Sequence, residues 1–290
     1  MALELKYASD ATVLLHDLVK ALSDSKGSAH VAVPVLMPSL PLVDRTKTEL
    51  ANRQGISMGI EFLLPRSFIE RMAQLVGLDD VHPSWQPSGL IWKLVPLLGA
   101  MVKEDHHLRL QAACFDIRAQ LSLVRDIADR FDQYLYFRPE MIDAWEQNSP
   151  WDGLPSSVRE GESWQRELWQ RPSLGMRDHA NPASRLQETV KRIYSGDGVL
   201  PNSLEVLATG PLPPTLLPLL RAVATRTRVR LRALLPSTEY LSDIRSARSQ
   251  MRAKQTVDFA WEGNPLLSHL GKQAVDSFRM FEKELVTEGQ

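Results

Sequence analysis

Gly55-Ile-Ser-Met-Gly59 has the Gly-x-Ser-x-Gly spacing with which acyl-transfer enzymes hold a nucleophilic serine at a sharp turn. That turn must run from a strand into a helix, because the bend lifts the hydroxyl above the sheet. Around Ser57 the order is reversed: Thr46 to Gln54 reads as a helix and Ile56 to Pro65 as an apolar, strand-like run. Two glycines at a helix-to-strand turn account for the pattern without catalysis. Asp105, His106 and His107 are metal-ligand types, but neighbouring side chains on a helix diverge by about a hundred degrees, so the histidines do not readily share one ion. No His-Glu-x-x-His helix or Cys-x-x-Cys pair occurs in the sequence. Glu4-Leu5-Lys6 imitates part of a nuclease signature, with no aspartate strand ahead of it.

Nucleotide hydrolysis is also disfavoured. A P-loop follows a strand with glycines whose N–H groups cradle phosphate, and it ends in Lys-Ser or Lys-Thr. After the valine-rich run Val31 to Met37 the chain reads Pro38-Ser-Leu-Pro-Leu-Val-Asp-Arg-Thr46, with no glycine and two residues that lack an N–H. The sole Gly-Lys pair, Gly271-Lys272, has Leu266 where the first P-loop glycine would stand. No cofactor and no metal are therefore expected.

Arg228, Arg230 and Arg232 alternate with Val229, Leu231 and Ala233, and a period of two places the arginines on one strand face. Arg221 through Lys254 holds nine Lys or Arg against two acids, Glu239 and Asp243. Two readings stand: a phosphate-contacting patch, or an edge strand guarded by charge.

The elements that would position these residues belong to an α/β class. Leu3 to Tyr7 is a strand candidate, Ala11 to Leu22 a helix capped by Asp10, and Val31 to Met37 a buried strand despite Pro34. Arg66 to Val76 reads as a helix, and Val81 to Pro87, with two prolines, as a linker. From Ser88 to about Arg192 helical periods dominate, including one long stretch from Leu108 to Tyr136. Five of the seven tryptophans fall there: Trp92, Trp145, Trp151, Trp164 and Trp169, types that fill helix junctions more often than they stack on bases. Within this region Val124, Ile127, Phe131, Tyr134 and Leu135 mark a buried helix face, with Asp129, Arg130, Asp132 and Gln133 towards the other side, until Pro139 ends the helix at Arg138. Ser203 to Thr209, Pro214 to Ala224 and Val229 to Leu235 then restore strand, helix and strand. The reading is an α/β domain over 1–80 and 198–290 interrupted by a helical insertion over 81–197.

At 290 residues, with 43% hydrophobic and 24% charged content, the chain can bury more than one core. A net charge of −1 confines any nucleic-acid role to local patches. Cys114 is the sole cysteine, no apolar run is long enough to span a bilayer, and the N-terminus lacks a signal-peptide pattern. A reducing, cytoplasmic setting is the expectation.

Several stretches, in order, resemble the N-terminal part of the exodeoxyribonuclease V gamma subunit, the RecC family. They are Gly55 to Pro65 with Ser67-Phe-Ile69, then Phe131-Asp-Gln-Tyr-Leu-Tyr-Phe-Arg-Pro139 with Trp145, then Trp164-Gln-x-x-Leu-Trp169. Leu212-Pro-Pro214, Glu239-Tyr-Leu-Ser-Asp-Ile244 and Gly263-Asn-Pro-Leu-Leu-Ser-His-Leu-Gly-Lys272 follow. The resemblance covers nearly the whole chain and about the first quarter to third of a typical member. It implies a P-loop-NTPase-like, superfamily 1 helicase-like sheet that lacks ATPase motifs. It further implies a non-catalytic subunit that helps split duplex DNA, scans the single strand for Chi and partners the nuclease-helicase beta and helicase alpha subunits. By this resemblance the strand-reading surface falls on Leu64, Asp129, Asp132 and Arg138. Where the family carries polar or aromatic readers, this chain has Pro38, Leu40, Asp44 and Glu70, a departure that tells against recognition of the usual Chi sequence.

Overall fold

A computed structural model of the chain describes residues 3–24, 32–103, 108–155, 158–171, 181–210, 212–235 and 272–281. The chain divides into two compact units, Met1–Gly77 with Val190–Gln290, and Leu78–Thr189, a division that falls within a helix. Asp105, His106, His107 and the stretch from Glu239 to Gly271 lie outside the described residues.

In chain order the first unit opens with β1 (Leu3–Ala8), α1 (Ala11–Asp24), β2 (Val33–Leu36), α2 (Leu40–Gln54), β3 (Ile60–Leu63) and α3 (Pro65–Leu75). A 3-10 turn (Pro83–Trp85) then precedes α4 (Pro87–Met101), α5 (Leu108–Ala113), α6 (Ile117–Phe137), α7 (Pro139–Glu146), α8 (Arg159–Gln170) and α9 (Pro182–Ser195). The first unit resumes with β4 (Ser203–Ala208), α10 (Leu216–Ala224), β5 (Arg228–Leu234) and α11 (Lys272–Phe281). The five strands form one parallel sheet in the order β1-β5-β4-β2-β3. This is the α/β architecture that the alternation of elements predicts.

Strand alternation assigns the two faces. Val35 and Leu207 pack with Leu14, Leu15 and Leu18 of α1 and Val43 and Leu50 of α2. Leu36, Leu204, Val206, Val229 and Leu231 point to the opposite face and are also buried, and α3 contacts α10. Burial on both faces is why these strands read as short apolar runs.

The register gathers Glu4, Lys6, Glu205, Arg228, Arg230 and Arg232 on the first of those faces: Lys6 stands opposite Arg232, and Glu205 opposite Arg230. Arg232 is 0% exposed; its Nη1 donates to Glu205 Oε2 at 2.5 Å and its Nε to Asp17 Oδ2 at 2.6 Å. Arg230 pairs with Glu205, and Lys6 Nζ reaches Asp17 at 3.2 Å. Arg232 Nη2 has no acceptor among the described residues. The edge-strand reading is thereby corrected, and so is a phosphate-contacting role for Arg232. β5 lies between β1 and β4, so it is no edge strand, and Arg232 is committed to internal ion pairs rather than to a phosphate-contacting surface. Arg230 is partly buried in the same network, while Arg228 stays exposed at the start of the strand.

Three element boundaries also differ from expectation. α2 starts at Leu40 rather than Thr46, because Ser39 adopts an extended N-cap conformation and Pro41 sits in the first turn, where a missing N–H costs nothing. The stretch from Leu108 to Tyr136 breaks at Asp116, whose carboxylate accepts from the Ala119 N–H at 2.7 Å and starts α6 anew. The supposed linker holds a 3-10 turn with Trp85 buried. Gly55 closes α2 in the left-handed region, φ 77°, as the bland reading of the Gly-x-Ser-x-Gly pattern requires.

Removal of one partner from the buried cluster should be costly. Glu205→Ala should destabilise the chain by about 3–5 kcal/mol, and the double change Glu205→Leu with Arg232→Met should recover much of that loss in urea unfolding. Partial burial pushes the Asp17 carboxyl up, but hydrogen bonds and charge from Arg232 and then Lys6 outweigh it and hold its pKa below the ordinary value of 3.8. The stability it contributes is therefore present above that ordinary value and lost as pH falls through the lower, folded one. Asp17→Asn should flatten the acid limb of a stability-versus-pH curve.

Candidate functional site

The resemblance-mapped residues fall in two places. In the α/β unit, Leu64 follows β3 and Pro38 follows β2, at the carboxyl ends of adjacent parallel strands, with the Met37 N–H donating to the Leu63 carbonyl at 2.8 Å. Leu64 is half-buried, serves as N-cap of α3 and accepts from the Phe68 N–H at 2.8 Å. Leu40 and Asp44 are exposed on the first turns of α2, and Glu70 pairs with Arg66 at 3.4 Å. Ligands of open α/β sheets bind outside the carboxyl ends of strands, where successive helices go to opposite faces. Here that place lies between β2 and β4, followed by α2 on one face and α10 on the other. Pro38, Ser39 and Pro41 occupy it on the β2 side, so it presents no glycine-rich run of N–H donors.

In the helical unit, Asp129, Asp132 and Arg138 are carried by α6 and its end. Val124, Ala128, Phe131 and Leu135 recur at three- and four-residue intervals and are buried, so the opposite side of the helix faces out. Asp129 is exposed and Asp132 half-buried. Arg138 breaks the helix: at φ −144° and ψ 54° its N–H donates to the Tyr134 carbonyl at 2.9 Å, and Pro139 starts α7. Its guanidinium lies over the Trp151 ring, 5.8 Å from the centroid.

An aromatic core holds that break in place. Phe131 packs edge-on against Trp145 and Trp169 at 6.1 and 5.3 Å, as does Tyr134 against Trp145 at 5.9 Å, and Trp85 lies tilted against Trp169 at 5.7 Å. One buried carboxylate organises it, because Glu162 Oε1 accepts from Trp145 Nε1 at 2.9 Å and from the Trp151 N–H at 2.8 Å. The sequence gives no cue to Glu162, which reads as one charge among several on α8. Of the tryptophans expected to fill helix junctions, Trp145 and Trp169 are fully buried, Trp151 and Trp164 partly so, and Trp92 is 77% exposed.

Two acids of α7, Asp143 and Glu146, are raised above their ordinary values. Burial pushes the Asp143 carboxyl up against a hydrogen bond from Gln187, and Glu140 adds repulsion. Burial also raises Glu146, partly offset by Asn181 Nδ2 at 2.7 Å and reinforced by Asp143. A raised carboxyl lowers stability as pH climbs towards and through its folded pKa, so these two acids oppose the trend set by Asp17. Among the described residues no group of three or more His, Cys, Asp or Glu could hold a metal ion, and no helix is long and apolar enough to cross a membrane.

Fold and site define a class: a parallel α/β chain whose β2–α2 turn carries prolines and no glycine-rich run, interrupted by a helical unit built on tryptophan. Comparison with known proteins makes this specific. The family model described as RecC, N-terminal domain, matches residues 3–290, and the chain belongs to the RecC family. Similar proteins include the RecBCD enzyme subunit RecC of Mycolicibacterium smegmatis, 27% identical over 291 residues. The subunits of the same name from Haemophilus influenzae and Escherichia coli are 25% identical over 263 residues and 29% identical over 223. The three matches cover 97%, 81% and 73% of this chain but 25%, 24% and 19% of those proteins, so the chain spans about a quarter or less of their length.

Trp145→Phe should strand the buried Glu162 carboxylate with the Trp151 N–H alone and lower stability by about 1–3 kcal/mol. Urea unfolding followed by circular dichroism reads this, and a loss below about 0.5 kcal/mol would mean that the carboxylate is not the organiser.

Proposed function

We propose that this chain is a non-catalytic, DNA-contacting module of a RecBCD-type exodeoxyribonuclease V. In this reading it helps split the duplex end and guides the emerging single strand during double-strand break repair. Its α/β unit is a helicase-like domain without ATPase function, and its partners are DNA and the nuclease-helicase beta and helicase alpha subunits in the cytoplasm.

Membership of the RecC family carries the reading. Two features support it: the exposed side chains of Asp129 on α6 and Arg138 at its end, and the proline-containing turn where a nucleotide site would need N–H donors. Carboxylates such as Asp129 and Asp132 suit hydrogen bonds to base edges better than a grip on phosphate. With Pro38, Leu40, Asp44 and Glu70 at the positions of the family's usual readers, any preferred sequence should differ from the usual Chi. Arg232 has no part in this surface, because it is buried.

A second reading, a protein-docking scaffold that touches no DNA, is favoured by one observation. Trp92 and Phe115 are 77% and 81% exposed on the helical unit, and aromatic side chains are enriched at protein interfaces.

Fluorescence anisotropy with single-stranded oligonucleotides at 50 and 200 mM salt, about one decade of affinity apart for a few phosphate contacts, separates the readings. The DNA reading expects binding that weakens as salt rises, a loss on the order of tenfold for Arg138→Ala, and altered sequence preference with little change in mean affinity for Asp129→Ala. An absence of binding at low salt would leave the scaffold reading, and measurable ATP turnover would overturn the account of the β2–α2 turn.

A further inference from the structure

The last two turns of α6 gather Arg130, Gln133, Tyr134, Phe137 and Arg138 around an open cleft of about 340 Å³. Spacing of three, four and seven residues puts the first four on one helix face, and Arg138 joins them from the break before Pro139. The polar side chains are tethered. Arg130 Nη1 donates to Gln133 Oε1 at 3.1 Å, Tyr134 Oη donates to Gln165 Oε1 at 3.1 Å, and Arg138 rests over Trp151. Among the described residues no carboxylate lines the cleft.

Phe137 is 50% exposed, and a single exposed phenylalanine is ordinary. Its setting is not, since two arginines, a tyrosine and a glutamine line the same cleft. Guanidinium forks match phosphate oxygens, and a phenyl face accepts any base by stacking. The volume lies at the low end of small-ligand sites, roughly 300–1,000 Å³.

We infer that this cleft is a one-nucleotide subsite for single-stranded DNA: Phe137 stacks on the base, and Arg130 and Arg138 bind the phosphates on either side. The inference rests on the single-strand reading above and adds Arg130 and Phe137, which that reading does not use. Stacking tolerates every base, so this subsite holds the strand rather than reading its sequence.

Two strands of equal length, oligothymidylate and an abasic sugar-phosphate, test it by anisotropy with the intact chain. Phe137→Ala should lower affinity for oligothymidylate about tenfold and leave the abasic strand unchanged, whereas Phe137→Tyr should bind as the unaltered chain does. Arg130→Gln should weaken both strands and reduce the slope of log affinity against log salt by about 0.7. Unchanged oligothymidylate binding in Phe137→Ala, or an equal loss on both strands, would overturn the subsite and leave the single-strand reading standing. Failure of the unaltered chain to bind either strand at low salt would overturn both.

Discussion

The α/β unit is arranged around a guanidinium that water does not reach. Arg232 lies on β5, between β1 and β4, and its two paired nitrogens are answered by carboxylates from different elements: Glu205 from the next strand and Asp17 from α1. A buried charge with no partner is among the costliest defects a fold can carry, so the cluster penalises any arrangement that separates these three residues. A one-residue slip of β5 would turn Arg232 to the other sheet face and leave Glu205 unpaired. The apolar runs of the strands alone would tolerate such a slip better, because both faces are buried and Val, Leu and Ala recur on either side. The ion cluster thus fixes a register that hydrophobic burial leaves loosely specified.

That arrangement also explains why the arginine alternation misled. A period of two tells which residues share a face; it does not tell what covers that face. Arg228, Arg230 and Arg232 do share a face, yet they run from exposed through partly buried to fully buried along a single strand. Their partners lie 27 and 215 residues away in sequence for Arg232, distances at which local pattern carries no information. By contrast, what rests on local chemistry was legible: Gly55 as a left-handed cap, Pro139 as a helix stop, and the alternation of strands and helices that announces a parallel sheet. The early start of α2 escaped notice because prolines at 38 and 41 read as a loop, although a proline in the first helical turn is compatible with helix.

In the helical unit the same α6 performs two tasks on its two sides. Inward, Phe131 and Tyr134 join the tryptophan cluster tied to Glu162. Outward, Arg130, Gln133 and Phe137 face the cleft. Tyr134 belongs to both: its ring packs on Trp145, and its hydroxyl reaches Gln165 at the cleft side. A rigid inner side is what gives the outer side a fixed geometry, since a surface side chain can be held no better than the helix beneath it. The inner half was readable as a helical period, whereas the outer half was not, because exposed residues at helical spacing are the normal condition of any surface helix.

The start of α2 separates the fold from nucleotide chemistry. For the sheet, α2 has to follow β2, begin cleanly and cover one face, and Val43, Thr46 and Leu50 are buried in doing so. None of that requires glycine, a lysine or an N–H aimed at phosphate. For nucleotide binding the same turn would need several backbone donors left open to a ligand, and here Ser39 enters extended, its carbonyl accepts from the Val43 N–H at 3.2 Å, and Pro38 and Pro41 contribute no donor. The two demands fall on different atoms of the same few residues: side chains that face the sheet serve the first, and backbone groups that face away from it serve the second. The parallel sheet is therefore kept intact with prolines at this turn, because what it asks of α2 is met by side chains alone.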